Sequence, residues 1–258
     1  AASASVYGSR AANGVILVTT KSGKEGKSRI GVRAKYGVSQ FANDNDYGVM
    51  TGQELLSYQR QAIINAGMNP DDPSGVYYRP MELLTRQQTN WMDHFTRLGK
   101  MQEYEINLSG GSQRTKYYSS ISYHDNEGVF YGVDFQKMQA RINADHELNN
   151  QWKTGVRINA GYMYGEDVPM QDLYYANPAF AGITILPWTP AYNEDGSHNT
   201  LIPENSNNNP RATAIYDEQW EKQYRFNGSF YLEYKPIKGL TLKTTNAAEL
   251  NFTEGRRY

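Results

Sequence analysis

The residues that could do chemistry in this chain are scattered rather than gathered. Four histidines, His94, His124, His146 and His198, fall at no ligand spacing, and cysteine is absent. A thiolate metal site or a disulfide scaffold is therefore excluded, and an imidazole site has no partner ligands in sequence. Gly26, Lys27 and Ser28 resemble the end of a phosphate-binding loop, but Lys21 stands where that pattern requires its first glycine. Asp44 and Asp46 form a short acidic pair of the kind that is usually solvated in a turn. Glu103 and Glu105 flank Tyr104, which puts both carboxylates on the polar face of a strand, a better account of them than acid–base catalysis. No strained Gly-x-Ser-x-Gly turn presents a nucleophile. The expectation is no catalytic residue, no metal and no cofactor, hence not an enzyme.

The elements that must position these groups are strands. Tyr104, Ile106 and Leu108 alternate with Glu103, Glu105 and Asn107; Met138, Ala140, Ile142 and Ala144 with Gln139, Arg141, Asn143 and Asp145. The same period of two runs through Tyr117 to His124, Trp152 to Tyr164, Tyr224 to Tyr234 and Leu240 to Phe252. That period signals half-buried strands, and a length of roughly 11 to 15 residues is long for a soluble sheet. A hydrophobic share of 39% is low for a packed globular core, while 21 tyrosines lift the aromatic share to 13%. Net charge is −1, so no basic stripe for nucleic acid exists.

Connections alternate between short and long. Tight turns fall at 110–114, 149–151 and 236–239; long connections span 42–100 and 166–223, with one of intermediate length around Glu127 and Gly128. Short turns at one end and long loops at the other are the habit of bacterial outer-membrane barrels, whose turns are periplasmic and loops extracellular. Trp152 and Tyr162, like Tyr224 and Tyr234, lie ten residues apart on one face. At about 3.3 Å per residue and a tilt near 40°, that spacing rises roughly 25 Å, the height between aromatic girdles. Within the first long connection, Thr51 and Glu54 form a capping-box pattern, Pro80 can open a short helix, and Thr89, Asn90 and Trp91 look like another start. The second long connection is Pro-, Asn- and Tyr-rich with little periodicity and reads as an irregular loop, turning near Asn193 to Ser197.

One stretch is specific. Tyr7, Gly8, Ser9, Arg10, Ala11, Ala12, Asn13 and Gly14, followed by the β-branched run Val15, Ile16, Leu17, Val18, Thr19, resemble the end of the plug domain of TonB-dependent transporters. More narrowly, they resemble the SusC/RagA family of Bacteroidota nutrient importers. The resemblance continues through Asn90, Trp91, Met92 and Asp93, where Asn replaces the family's first Asp. It includes Asn107 to Ser112, Tyr117, Tyr118 and Asn126 to Gly128. Tyr7 to Gly14 read as turn and packing chemistry, hence structural.

The resemblance implies an all-β fold: part of a 22-stranded, plugged, antiparallel transmembrane β-barrel with short helices in its extracellular loops. Residues 1–27 would be the end of the plug and 28–258 about seven barrel strands. It implies import of oligosaccharides or oligopeptides across the outer membrane, with a SusD-like surface lipoprotein as lid and TonB as energy source. Outer-membrane lipid, a glycan or peptide substrate and no nucleic acid complete the expected contacts. A start without Met, an end in mid-pattern and an odd strand count predict a piece of a longer protein. Tyr174, Tyr175, Trp188, Tyr192 and Trp220 in the second long connection are candidates for stacking on sugar or touching the lid, against the alternative that they pack the loop. Other readings are a soluble or surface-attached carbohydrate-binding module and a siderophore-type receptor.

Overall fold

The computed structural model describes residues 21–42, 49–168, 177–202, 208–217 and 219–257. The plug-like motif from Tyr7 to Gly14 lies outside the described residues, as do Asp44, Asp46, Tyr174 and Tyr175.

Alternating apolar and polar residues build seven strands: β1 (Gly26–Ser39), β2 (Gly99–Gly111), β3 (Thr115–Glu127), β4 (Asp134–Glu147), β5 (Trp152–Asp167), β6 (Gln219–Tyr234) and β7 (Leu242–Arg257). They pair antiparallel in chain order, a meander forming one sheet. Register is fixed because a one-residue slip would swap the two faces of a strand. On β4, Gln139, Arg141 and Asn143 are less exposed than Met138, Ala140 and Ile142, so the sheet curls with its polar side concave. The described strands β1 and β7 are its edges.

The turns are tight where the sequence places Gly and Asn. Asn149 Oδ1 accepts from the backbone N–H of Gln151 and of Trp152, both at 2.9 Å, closing the β4–β5 hairpin. At the opposite end, three connections converge into a cap. The first holds α1 (Gly52–Asn65), a 3₁₀ turn (Met81–Thr85) and α2 (Trp91–Phe95). Thr51 and Glu54 complete the reciprocal capping box, and Gly67, at φ 76°, follows the helix end.

The second long connection corrects the expectation of an irregular loop. β5 runs on to Asp167 and β6 begins at Gln219, which leaves 168–218 as the connection. Within it stand α3 (Pro178–Thr184) and α4 (Pro210–Tyr216). Each is seven residues long, too short to display a helical period, but each opens on Asn–Pro. Asn177 and Asn209 accept from the first free N–H groups, and the proline supplies a preset φ where no donor is needed. No described helix is long and apolar enough to cross a membrane.

Candidate functional site: a two-faced wall and its loop cap

The two faces of the sheet differ in kind. On the convex face, the paired row Val32, Ile106, Ile121, Ala140, Ala160, Phe226, Leu250 is apolar on every strand. Two residues toward the cap lies the row Ala34, Tyr104, Tyr123, Met138, Tyr162, Tyr224, Phe252, mostly aromatic. Beyond it the face turns polar at Gln102, Asp125, Gln136, Lys222 and Glu254. At the turn end Trp152 pairs with Tyr234, their rings stacked at 4.1 Å, and Tyr162 meets Tyr224 at 5.1 Å. Thus the residues spaced by ten along the chain meet across strands as two aromatic pairs. Between those levels, this face holds no Asp, Glu, Lys or Arg among the described residues.

That band is exposed in the isolated sheet: Ile30 is 75% exposed, Val32 74% and Phe252 65%. A band about 25 Å tall on seven strands about 4.8 Å apart covers roughly 800 Å², above the ~300–600 Å² of the largest apolar patch on a typical soluble monomer. Water cannot be its solvent at acceptable cost, whereas hydrocarbon can. Height, aromatic borders and missing charge agree on a lipid-facing barrel wall.

The concave face is a polar lattice. Lys35 Nζ reaches Glu103 Oε2 at 3.1 Å and Arg33 pairs with Glu105. Arg157 grips Asp145 with its Nη2 at 2.7 and 2.8 Å from the two carboxylate oxygens. Tyr231 Oη donates to the same carboxylate at 2.6 Å across the intervening β5. Gly155 makes this reach possible, since a Cβ there would stand 2.2 Å from the Tyr231 ring. Lys21 lies against this face, its carbonyl accepting from Asn143 Nδ2 at 2.6 Å. Glu103 and Glu105 are therefore members of ion pairs, as their polar-face placement anticipates.

The cap ties together connections distant in sequence. Trp91 is 1% exposed, packs on Ala181, Ile185 and Ala191, and donates its indole N–H to the Leu186 carbonyl at 3.3 Å. A second cluster joins Leu56, Leu83 and Trp188. The 128–133 connection inserts Phe130, stacked on Phe95 at 5.0 Å, and Tyr131, whose ring centroid is 3.6 Å from the Arg211 guanidinium and 5.2 Å from that of Arg97. Gly132, at φ 79°, sits where a Cβ would come within 2.8 Å of Val168. Between α2 and α3 opens a cleft of ≈ 980 Å³ lined in part by Phe41, Asp93, Arg97 and Phe180.

The candidate contact residues separate accordingly. Trp188 is 3% exposed and cannot offer its ring to a sugar; it packs the two long connections together, which corrects its candidacy. Trp220 belongs to β6, opposite Glu166 and Arg256, with Lys222 Nζ 4.4 Å from its ring, so it is not a loop residue. Tyr192, 43% exposed, remains at the cap surface. Its ring adjoins His94 at 5.2 Å and His198 at 5.1 Å. His94, which the sequence offered only as an isolated imidazole, is the centre of this cluster. Burial, then the Arg211 guanidinium, then His198 push its pKa down to about 4. His198 is lowered too, by burial and Arg211. Burial thus disfavours the charged form of both imidazoles, whose rings pack against Tyr192 and each other. Among the described residues no three His, Cys, Asp or Glu side chains converge for a metal.

No family model matches the chain. TonB-dependent receptor P26 of Formosa agariphila is 29% identical over 264 residues, spanning 100% of this chain and 25% of that protein. TonB-dependent receptor SusC of Bacteroides thetaiotaomicron is 30% identical over 200 residues, 76% of this chain and 18% of that protein. The chain thus spans about a quarter or less of the curated relatives it matches. Solved structures of the RagAB peptide importer in "closed-closed" and "open-open" states share the fold. Each has a TM-score of 0.78 at 24% identity; they cover 96% and 98% of this chain and 31% of theirs. An outward apolar band, an inward polar lattice, a loop cap at one end and kinship along the whole chain converge: the chain belongs to the TonB-dependent receptors of the SusC/RagA type.

Proposed function

We propose that this chain forms part of the wall and mouth of an outer-membrane importer for oligomeric nutrients, glycans or peptides. In this reading a SusD-like lipoprotein closes over the cap and TonB supplies energy. The observation that carries it is the uncharged band between aromatic rows with a structured cap at only one end. Such asymmetry gives the wall an up and a down: turns toward the periplasm, cap toward the medium. The concave polar face then lines the lumen, and the chain's own chemistry is recognition and passage rather than bond making. The RagAB peptide importer gives the peptide class by likeness of fold, and the resemblance to SusC/RagA nutrient importers gives the glycan class. The test is deletion of the full-length gene in its host, with growth on single oligosaccharides and peptides and co-purification of the neighbouring lipoprotein. Loss of growth on one such oligomer and recovery of a two-protein complex are expected. Normal growth on every oligomer, with a defect only under iron limitation, would overturn this in favour of a siderophore receptor.

A further inference from the structure

The inward lattice is balanced unevenly. On β1 and β2 the cations Arg33 and Lys35 have carboxylates, and on β5 Arg157 has Asp145. Lys137 and Arg141 on β4 and Arg225 on β6 have no ion pair among the described residues. No inward carboxylate stands among Tyr118, Ser120, Ser122 and His124 of β3, or among Lys137, Gln139, Arg141 and Asn143 of β4. The same holds for Arg157, Asn159, Gly161 and Met163 of β5. On β6 and β7, Glu221 accepts from Gln223, Glu233 pairs with Lys235 at 3.1 Å, and Glu249 lies opposite Asn227, one inward row from Arg225, without an ion pair.

The register sets the geometry. Lys137 and Arg141 are four residues apart on one face, about 13 Å. Arg225 belongs to the row between them, through Gly161 and Gln139, and lies two strands away. That places it roughly 12 Å from each at ~4.8 Å per strand. The centre of the triangle is Gly161, where a Cβ would find only the Met138 carbonyl, at 3.8 Å. Among the described residues, open space therefore faces three cations without an ion pair, edged by Ser122, Gln139, Asn159 and Asn227, with Glu249 the one carboxylate near Arg225. The segment at Lys21 does not fill it: that segment lies toward the turn end, on Asn143 and Tyr118, and brings another cation.

We propose that Lys137, Arg141 and Arg225 form an anion-recognising patch on the lumen wall that takes carboxylate or sulfate groups of an acidic oligosaccharide. This rests on the importer reading above and narrows its substrate class. Like charges held on a concave, partly enclosed wall raise the local concentration of an anionic ligand and strengthen its hydrogen bonds. The hydroxyl and amide rim supplies donors and acceptors for sugar hydroxyls, whereas a peptide would call for apolar side-chain pockets.

The experiment uses the full-length transporter with its lipoprotein, in detergent, by calorimetry. Probes are hexamers of galacturonate, of chondroitin sulfate, of neutral maltose units and of glutamate as a peptide. Binding of an acidic hexasaccharide that weakens with salt is expected. Lys137→Gln, Arg141→Gln and Arg225→Gln should each lower it about tenfold, as loss of a charge-assisted contact does. Arg141→Lys should restore most of the loss. Binding of the neutral hexamer or of hexaglutamate with no acidic glycan bound would overturn the patch while leaving the importer reading standing. Variants that lower the melting temperature but leave glycan binding unchanged would assign these cations to holding another part of the protein, and would also overturn it. Failure of every probe, together with normal growth of the deletion strain on oligomers, would remove both.

Discussion

Replacing Trp188 by Ala separates the two roles its ring could have. The side chain is 3% exposed and forms a cluster with Leu56 and Leu83, with Leu55, Leu84 and Leu186 packed around them. Removing a buried Trp side chain of this kind costs ~3–5 kcal/mol, from lost transfer energy and from the void left behind. The cap has few such residues, so most of that loss falls on its local stability. At about 1.4 kcal/mol per factor of ten, the open fraction of the cap should rise by roughly 10²–10³. Hydrogen exchange on the full-length transporter in detergent reads this directly. Amides of α1 and α3 should lose protection by that factor, while amides in the β3–β4 ladder keep theirs, because the ladder does not depend on the cap. Wild-type protection in α1 and α3, combined with lost binding of an oligosaccharide, would refute the packing argument and return Trp188 to the substrate.

Two other outcomes follow from the faces and from the histidine cluster. Ile121→Arg puts a charge in the outward band and should cost ~2–4 kcal/mol near its middle, reducing folded barrel in the outer membrane; Ser122→Arg, one residue on and inward, should leave the yield unchanged. Equal yields, scored by the heat-modifiable band on gels, would contradict the assignment of faces. His94 is held at about 4 in the folded cap against an ordinary 6.5, so the unfolded cap binds the extra proton between those values. Its contribution is fully present above pH ~6.5 and declines as pH falls toward ~4. Partial solvent access at the cluster scales it to ~1–2 kcal/mol. Proteolysis of the cap should therefore speed up on acidification, and His94→Gln should flatten that dependence; an unchanged pH profile in the variant would count against it.

Alternation made the strands legible in sequence because each strand is half in one solvent and half in another. Trp152, Tyr162, Tyr224 and Tyr234 announced the band height, since spacing along a strand is geometry that needs no partner. The pairing that turns those four into two ring contacts was not visible, because register depends on the neighbouring strand. The capping box at Thr51 showed α1 in advance, whereas α3 and α4 escaped: seven residues carry less than two full helical periods, and only the Asn–Pro openings mark them. The role of Trp188 escaped for another reason. An aromatic in a polar loop looks like a ligand platform until the Leu56 and Leu83 that bury it, more than 100 residues earlier, come into contact. The cationic patch was hidden likewise. Arg141 and Arg225 are ordinary strand residues until register shows which carboxylates fail to face them.

The joining of Trp91 to Leu186 has a consequence for how the protein is built. Every sheet contact is between consecutive strands, and from β2 to β5 each strand is joined to the next by a short connection, so those hairpins close early. The cap is the opposite: its contacts span 95 residues in the Trp91–Leu186 hydrogen bond and must wait for the chain between them. The entropy of closing so long a loop is removed only once β2 to β5 are already zipped and bring the two connections side by side. The cap is thus a late-maturing structure, one that reports on completed wall assembly. A strand-pairing defect anywhere between β2 and β5 should reveal itself first as a mouth that never closes into shape, well before the hairpins themselves come apart.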